Sequence, residues 1–470
     1  MKRRQFFQNT TLGLTGSAFL LPFTGHSTPS LFKNNILSVK KKAQNIIFMV
    51  SDGMSEGTLT MGDLYMRRSG KGSNWLNLYR EGKATRALMD MASASSMVTD
   101  SAAASSSWGG GHRVPNGKLN YGAKGEEYTP IWQKFKSAGK KVGCVTTVPI
   151  THATPAGFCV INKTRGEQPE IAEQYLALKF DVMMGGGSKY FVERQDKVDM
   201  YDTYRKNGYV VVESKHDMDE LQHVNKPVLG VFDKNGLPYA IDRKQGDGQF
   251  DKVPTLAEMT SKAIDLMKKH PKGFCLQVES GKVDWAAHAN DAPALIYDQV
   301  QFEDAVRVAL DFAEKDGNTL VIITSDHGNS NPGLYYGENA DKNFEKIFDV
   351  TMSNETILNK ISKSTPISDL KDLIKTNQGF DISDEDAALI ISKYEHLDET
   401  GVYNPYKLPF KTYGEIFSKH FSIAFGGVDH SADFTELTMF GPGSEHLKPL
   451  VKNTELHDFM LHVAEVECKG

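Results

Sequence analysis

The sequence predicts an α/β protein, a parallel β-sheet covered by helices, and three observations lead there. Four short runs are continuously apolar, without the polar alternation of a half-exposed strand, as strands buried on both faces require. Each run ends in polar, acidic or Gly-rich residues. A long helical pattern separates the last two, and strand, helix, strand in that order is a βαβ unit. With 470 residues, 40% hydrophobic and 24% charged, the chain can bury a large core.

In chain order, the first run is NIIFMVSDGMS (45–55) and the second is KKVGCVTTVPITHATPAG (140–157). A helix is expected over 255–270, because Thr255-x-x-Glu258 forms a capping box and Pro271 stops the pattern. The third run, KGFCLQVESGKVDW (272–285), leads to a helix over 292–316, where Ala294, Leu295, Val300, Ala305, Val308, Ala309 and Leu310 fall near helical spacing. NTLVIITSDHGNS (318–330) is the fourth run. Residues 331–411 break this rhythm with short helical pieces such as SDEDAALIISKYEHL, in which Ser383 and Asp386 are expected to form a second capping box. We expect 331–411 to be a helical cap inserted over the sheet edge, inside a single domain spanning 29–470.

Residues 1–28 have the layout of an export signal. Lys2, Arg3 and Arg4 precede an apolar run over 12–23 that is too short and too diluted by Gly and Thr for a membrane span. Arg3-Arg4 followed by Gln5-Phe6-Phe7-Gln8 resembles the twin-arginine signal, so the expectation is a cleaved leader and a periplasmic or extracellular protein of a bacterium. The net charge of −5 argues against a basic nucleic-acid face. Cys144, Cys159, Cys275 and Cys468 show no C-x-x-C spacing and no dense disulfide framework. Cys144 and Cys159 could pair in an oxidising compartment, whereas Cys275 reads as a core residue.

In such sheets chemistry collects at the carboxyl ends of the strands. Asp52, Thr154, Glu279, Asp284 and Asp326-His327 all follow an apolar run. If a helix begins near Asp284, then Asp284 and His288 share one face and can grip one metal, although alone they also fit a capping Asp and a solvated His. Asp326-His327 and Asp429-His430 add two adjacent pairs. With Asp52 these residues supply ligands for two zinc-like ions, and Glu279 suits a harder, oxygen-preferring ion. His112, His216, His223, His270, His396, His420, His446, His457 and His462 read as surface or packing residues. The stretch VTDSAAASSSWGGG (98–111) offers five hydroxyls, Thr99, Ser101, Ser105, Ser106 and Ser107, with no histidine in the ten residues before it and no G-x-S-x-G turn.

The motifs SDGMS, VTDSAAAS, THATPAG, VESGKVDWAAH, TSDHG and GVDH…FGPG stand in the order found in the alkaline phosphatases. The chain resembles that family over nearly its whole length beyond the leader. The resemblance implies a mixed, mostly parallel sheet sandwiched by helices. It also implies hydrolysis of phosphate monoesters to an alcohol and inorganic phosphate through a phosphoserine, with two Zn2+ and one Mg2+. Ser101 would be the nucleophile and would complete the second zinc with Asp326 and His327. Asp52 would bridge that zinc and the magnesium, Asp284, His288 and His430 would hold the first zinc, and Glu279 and Thr154 would bind the third metal. Arg165, eleven residues after Thr154, matches by spacing the arginine that clamps phosphate, and its planar fork suits two phosphate oxygens.

Coordination to a divalent ion stabilises a serine alkoxide, so no histidine base is required. Asp100 would orient Arg165, Thr99 would pack at a strand end, and Ser105, Ser106 and Ser107 would be small residues of a helix opening at Ser101, whose amides favour phosphate. His152 and Trp285 depart from the best-known bacterial pattern, which has Asp and Lys there. His152 is therefore expected either to bind the third metal directly or to hold one of its waters. A homodimer is the family's common form.

Glu279 and Thr154 favour monoesters over the phosphodiesterases and nucleotide pyrophosphatases of the same superfamily. DSAAAS lacks the C/S-x-P-x-R context of sulfatases. A non-catalytic, metal-stabilised binding protein would be expected to have lost Ser101, Arg165 or several ligands, and none is missing.

Overall fold

Strand formation follows the apolar runs. In the computed structural model, β1 (Asn45–Ser51), β3 (Lys141–Pro149), β7 (Phe274–Ser280) and β8 (Thr319–Thr324) coincide with the four runs. The structure describes residues 42–221, 225–245, 248, 250–395 and 406–466. The leader expected over 1–28, Cys468 and residues 396–405 of the proposed insertion lie outside them.

Six further strands complete a ten-stranded sheet: β2 (Thr85–Asp90), β4 (Val182–Gly186), β5 (Val210–Val212), β6 (Val228–Val231), Thr435–Phe440 and Leu450–Lys452. The order across it is Leu450–Lys452, β2, Thr435–Phe440, β8, β1, β7, β3, β4, β6, β5. Only Thr435–Phe440 runs against the rest, pairing antiparallel with both β2 and β8. The sheet is therefore mixed and mostly parallel.

Period-two alternation divides the central strands between two cores. Ile47, Met49, Leu276, Val278, Val321 and Ile323 face one, while Ile46, Phe48, Val50, Cys275, Leu320 and Ile322 face the other. Every residue of β1, β7 and β8 is buried, which is why these runs do not alternate with polar residues. In-register parallel pairing sets Val50 beside Glu279 and beside Thr324. The residues following β1, β7 and β8 thus emerge together at one edge.

Helix Ala292–Asp316 has the expected bounds, capped by Asp291 and closed by Gly317 at φ 68°. Helix Leu256–Met267 carries the full capping box but ends before residue 270. The helix expected to start near Asp284 begins earlier, at Gly281. There β7 passes straight into the helix: Thr147 Oγ1 accepts the Lys282 N–H at 3.1 Å, and a Cβ on Gly281 would sit 2.5 Å from Val148 Cγ2.

Within 331–411 lie the helices Ala340–Glu345, Asn354–Leu358, Ile367–Gln378 and Asp384–Ser392. Their apolar residues, among them Phe344, Ile357, Leu370 and Ile390, join the same core as Ile47 and Val278. Ser383 caps the last of these helices by accepting the Asp386 N–H, while the Asp386 carboxylate lies beside Lys419. Cys144 and Cys159 are buried free thiols, as is Cys275, so the pairing considered for the first two is not formed. Among the described residues no helix is long and apolar enough to cross a membrane.

Candidate active site

The Ala/Ser/Gly stretch is a buried helix, Ser101–Gly110, opening at Ser101. Asp100 is its N-cap, accepting the Ala103 N–H at 2.9 Å. Its small residues allow a close approach to helix Ala153–Cys159, since a Cβ on Gly109 would lie 1.9 Å from the Gly157 carbonyl oxygen. Three hydroxyls of the helix are occupied. Ser105 donates to the Thr154 carbonyl at 2.6 Å, Ser107 to the Ala104 carbonyl at 2.6 Å, and Ser106 accepts from Asn120 N at 2.8 Å. Ser101 Oγ instead faces His327 Nε2 at 3.2 Å. Thr99 is not at a strand end, as expected from sequence, but in the loop before the helix, where its carbonyl faces His430 Nδ1 at 3.0 Å.

Around Ser101 the strand ends bring three ligand groups together. In the first, His288 Nε2 lies 3.4 Å from Asp284 Oδ2, His430 Nε2 lies 3.6 Å from Asp284 Oδ1, and the two Nε2 atoms are 3.2 Å apart. In the second, His327 Nε2 lies 3.2 Å from Asp326 Oδ2, 3.6 Å from Asp52 Oδ1 and 3.2 Å from Ser101 Oγ. In the third, Asp52, Glu279 and His152 converge, with His152 Nδ1 at 3.8 Å from Glu279 Oε1. Thr154 joins them by donating to Asp52 Oδ2 at 3.2 Å.

These groups fit divalent cations. Asp52 Oδ1, Asp326 Oδ2 and both Glu279 oxygens are buried without a hydrogen-bond donor, an arrangement that costs several kcal/mol per charge unless a cation compensates it. Burial, then the Asp326, Asp284 and Glu279 carboxylates, raise the Asp52 pKa well above the usual range. Burial pushes Asp326 to about 7. It would raise Asp284 too, but His288 and the neighbouring histidines hold that carboxyl well below the usual range. Burial brings His327 and His430 down to about 4, so their lone pairs are available at neutral pH.

Arg165 completes the cleft. It donates from Nη1 to Asp100 Oδ2 at 3.1 Å and from Nη2 to His152 Nε2 at 2.9 Å. The Arg165 guanidinium leads the groups that hold Asp100 below its ordinary pKa against the opposing effect of burial. Ser101, His152, Arg165, Gln168, Asp284, Trp285, His288 and His430 line a cavity of about 300 Å³, the size of a small-ligand site. Every expected site residue is therefore at one place.

Residues 43–466 match the alkaline phosphatase family model. The chain belongs to the alkaline phosphatase family. It is 29% identical to alkaline phosphatase 4 of Bacillus subtilis over 97% of each chain. It is 32% identical to alkaline phosphatase 3 of the same organism over 76% of this chain and 75% of that one. The crystal structure of Thermus thermophilus alkaline phosphatase superposes with a TM-score of 0.86 at 30% identity, covering 95% of this chain and 96% of that one.

The protein is thus a phosphatase enzyme of a metal-dependent family. Sequence reasoning missed several groups that shape its site. Asn329 donates to Asp284 Oδ1 at 2.7 Å, and its place in TSDHGNS, two residues after His327, was the available signal. The Gly53 N–H donates to Asp326 Oδ1 at 3.0 Å. The carbonyls of Thr99 and Val428 face the Nδ1 atoms of His430 and His288. Backbone groups such as these carry no residue-type signal.

Proposed function

We propose that this phosphatase hydrolyses phosphate monoesters through a phosphoserine on Ser101. The observation that carries the reading is the position of Ser101 Oγ, at the head of a helix and 3.2 Å from His327 Nε2, beside Asp52 and Asp326. Ser101 Oγ forms a bond to phosphorus as the ester oxygen leaves with the alcohol. Water then attacks the phosphoserine, releasing inorganic phosphate and restoring the hydroxyl. Arg165, held by Asp100 and His152, presents its fork to two phosphate oxygens.

Asp284, His288 and His430 would hold one Zn2+, and Asp52, Asp326, His327 and Ser101 a second. Asp52, Glu279 and Thr154, with His152 nearby, would hold Mg2+. Bound divalent ions supply the positive charge that stabilises attacking and leaving oxygens. The leader over 1–28 supports export to the periplasm or beyond. Small phosphomonoesters and inorganic phosphate are the ligands, and we propose a homodimer as the assembly. Turnover of p-nitrophenyl phosphate should far exceed that of bis-p-nitrophenyl phosphate and of p-nitrophenyl sulfate. Equal turnover of the bis-ester would reassign the enzyme to phosphodiesters.

A further inference from the structure

The contact between Arg165 and His152 restricts what His152 can do. Arg165 Nη2 lies 2.9 Å from His152 Nε2, and a guanidinium has donors only. His152 Nε2 must therefore be the acceptor, without a proton. The proton of the neutral ring then sits on Nδ1, the nitrogen facing Glu279 Oε1 at 3.8 Å. A protonated Nδ1 has no lone pair for a cation.

Ligation through Nδ1 would move the ring proton to Nε2, turning an N–H toward the arginine N–H and breaking the hydrogen bond. We propose that His152 is a positioning residue for Arg165, and that this role and direct ligation of a third-site cation exclude one another. The proposal rests on the reading of Arg165 as the phosphate clamp.

Surrounding contacts fix both anchors of the arginine, and His152 Nδ1 itself is buried without a hydrogen-bond partner beside Asp52 and Glu279. Asp100, the other anchor of the arginine, is fixed in turn by the Ala103 and Gly117 N–H groups at 2.9 Å each. His152 is the N-cap residue of helix Ala153–Cys159, is buried, and stands edge-on to Trp285 at a centroid distance of 6.4 Å and an interplanar angle of 81°. The fork is thus gripped on one nitrogen by an acid on the Ser101 helix and on the other by an imidazole on the Thr154 helix. Asp52 Oδ1 and both Glu279 oxygens, buried and without donors, remain for an oxygen-preferring cation. His152 Nδ1–H then faces that site's carboxylate rather than the ion.

Two amide substitutions separate the roles, because Gln places its terminal group near the Nε2 position and Asn near the Nδ1 position. In metal-loaded full-length enzyme, His152→Gln should keep the inhibition constant of inorganic phosphate within about threefold of the original. His152→Asn should raise it about tenfold, the scale of a lost hydrogen bond to a charged group. Metal content by mass spectrometry should stay at the original level in His152→Asn, and thermal melting should confirm that both variants are folded. Placed on Arg165→Ala, His152→Asn should add nothing further to the inhibition constant.

The opposite order would overturn the proposal and make His152 a ligand: normal phosphate binding in His152→Asn, with loss of both metal and phosphate binding in His152→Gln. An undiminished His152→Asn effect on the Arg165→Ala background would also overturn it. If Arg165→Ala alone leaves the constant unchanged, the clamp reading itself fails, an outcome distinct from either of these.

Discussion

The Nε2 atoms of His288 and His430 face each other at 3.2 Å, while the Nδ1 of each ring faces a backbone carbonyl, that of Val428 or Thr99. A carbonyl only accepts, so both Nδ1 atoms carry protons. Against the lowering effect of burial, Asp284 raises the His288 pKa, so the gap between the two Nε2 atoms attracts positive charge, a proton or a cation. Two nitrogens each about 2.0–2.1 Å from a tetrahedral ion lie roughly 3.3 Å apart. The pair has the spacing of two ligands of one cation, with Asp284 as a third.

His430→Ala should therefore remove one equivalent of metal and reduce turnover at least a hundredfold. Chelation of the unaltered enzyme should abolish activity and lower the melting temperature, because Asp52, Asp326 and Glu279 are then left buried without compensation. Restoring zinc and magnesium should recover both. Full activity after exhaustive chelation, checked by metal analysis, would rule out the metal-based mechanism.

The four serines of the buried helix should respond unequally. Ser101→Ala should lower turnover of p-nitrophenyl phosphate by several orders of magnitude, leaving the remaining ligands and most of the metal in place. Ser105→Ala removes a hydroxyl bonded to the Thr154 carbonyl. It should cost about 1 kcal/mol of stability while leaving the nucleophile intact. Acid-quench trapping of a phosphorylated peptide containing Ser101 in the unaltered enzyme, and its absence in Ser101→Ala, would identify the attacking oxygen.

The same helix shows what was legible in the sequence and what was not. Asp52, Glu279 and Asp326 could be assigned to one edge because β1, β7 and β8 are buried on both faces and stand out as short, largely apolar runs, broken only by Gln277 before Glu279. Strand β2 escaped notice because it lies next to the edge strand and alternates exposed and buried residues over only six positions. β5 has three residues, too few for any period to register. The order of motifs distinguished Ser101 from Ser105, Ser106 and Ser107, but the reason those three are occupied lies in contacts with Thr154, Ala104 and Asn120. The first depends on how two short helices meet and the third on where a distant loop returns, while the second is made within the helix itself. The tautomer of His152 likewise depends on Arg165, thirteen positions away, and no local pattern encodes it.

Close helix contact also makes a prediction that couples stability to turnover. A Cβ on Gly157 would lie 2.4 Å from Ser105 Oγ and 2.9 Å from the Ser105 backbone carbonyl carbon. Gly157→Ala must push apart the two helices that carry Ser101 and Thr154. Overpacking of this kind costs about 1–3 kcal/mol, measurable by urea denaturation. Turnover should fall as well, because both site residues lie in the first turns of the displaced helices. A variant of unchanged activity would show that the helices can part without moving Ser101.

Away from the site, Glu303 gives stability a pH dependence with a definite sign. Its carboxylate accepts from Ser73 Oγ at 2.6 Å and Trp75 N at 3.0 Å, yet burial pushes its pKa from 4.5 to about 7. Between those values the folded state binds more protons than the unfolded state, so stability is fully present below pH 4.5 and falls as pH rises to about 7. Asp291 and Asp298, also pushed by burial to about 7, have the same sign. Glu303→Gln removes one contribution of roughly 3 kcal/mol at most while keeping a polar group opposite Ser73 and Trp75. Urea denaturation at pH 5 and pH 8 should show a smaller loss of stability across that interval in the variant than in the unaltered enzyme. An equal or larger loss in the variant would mean that Glu303 is ionised throughout and that its two donors outweigh burial.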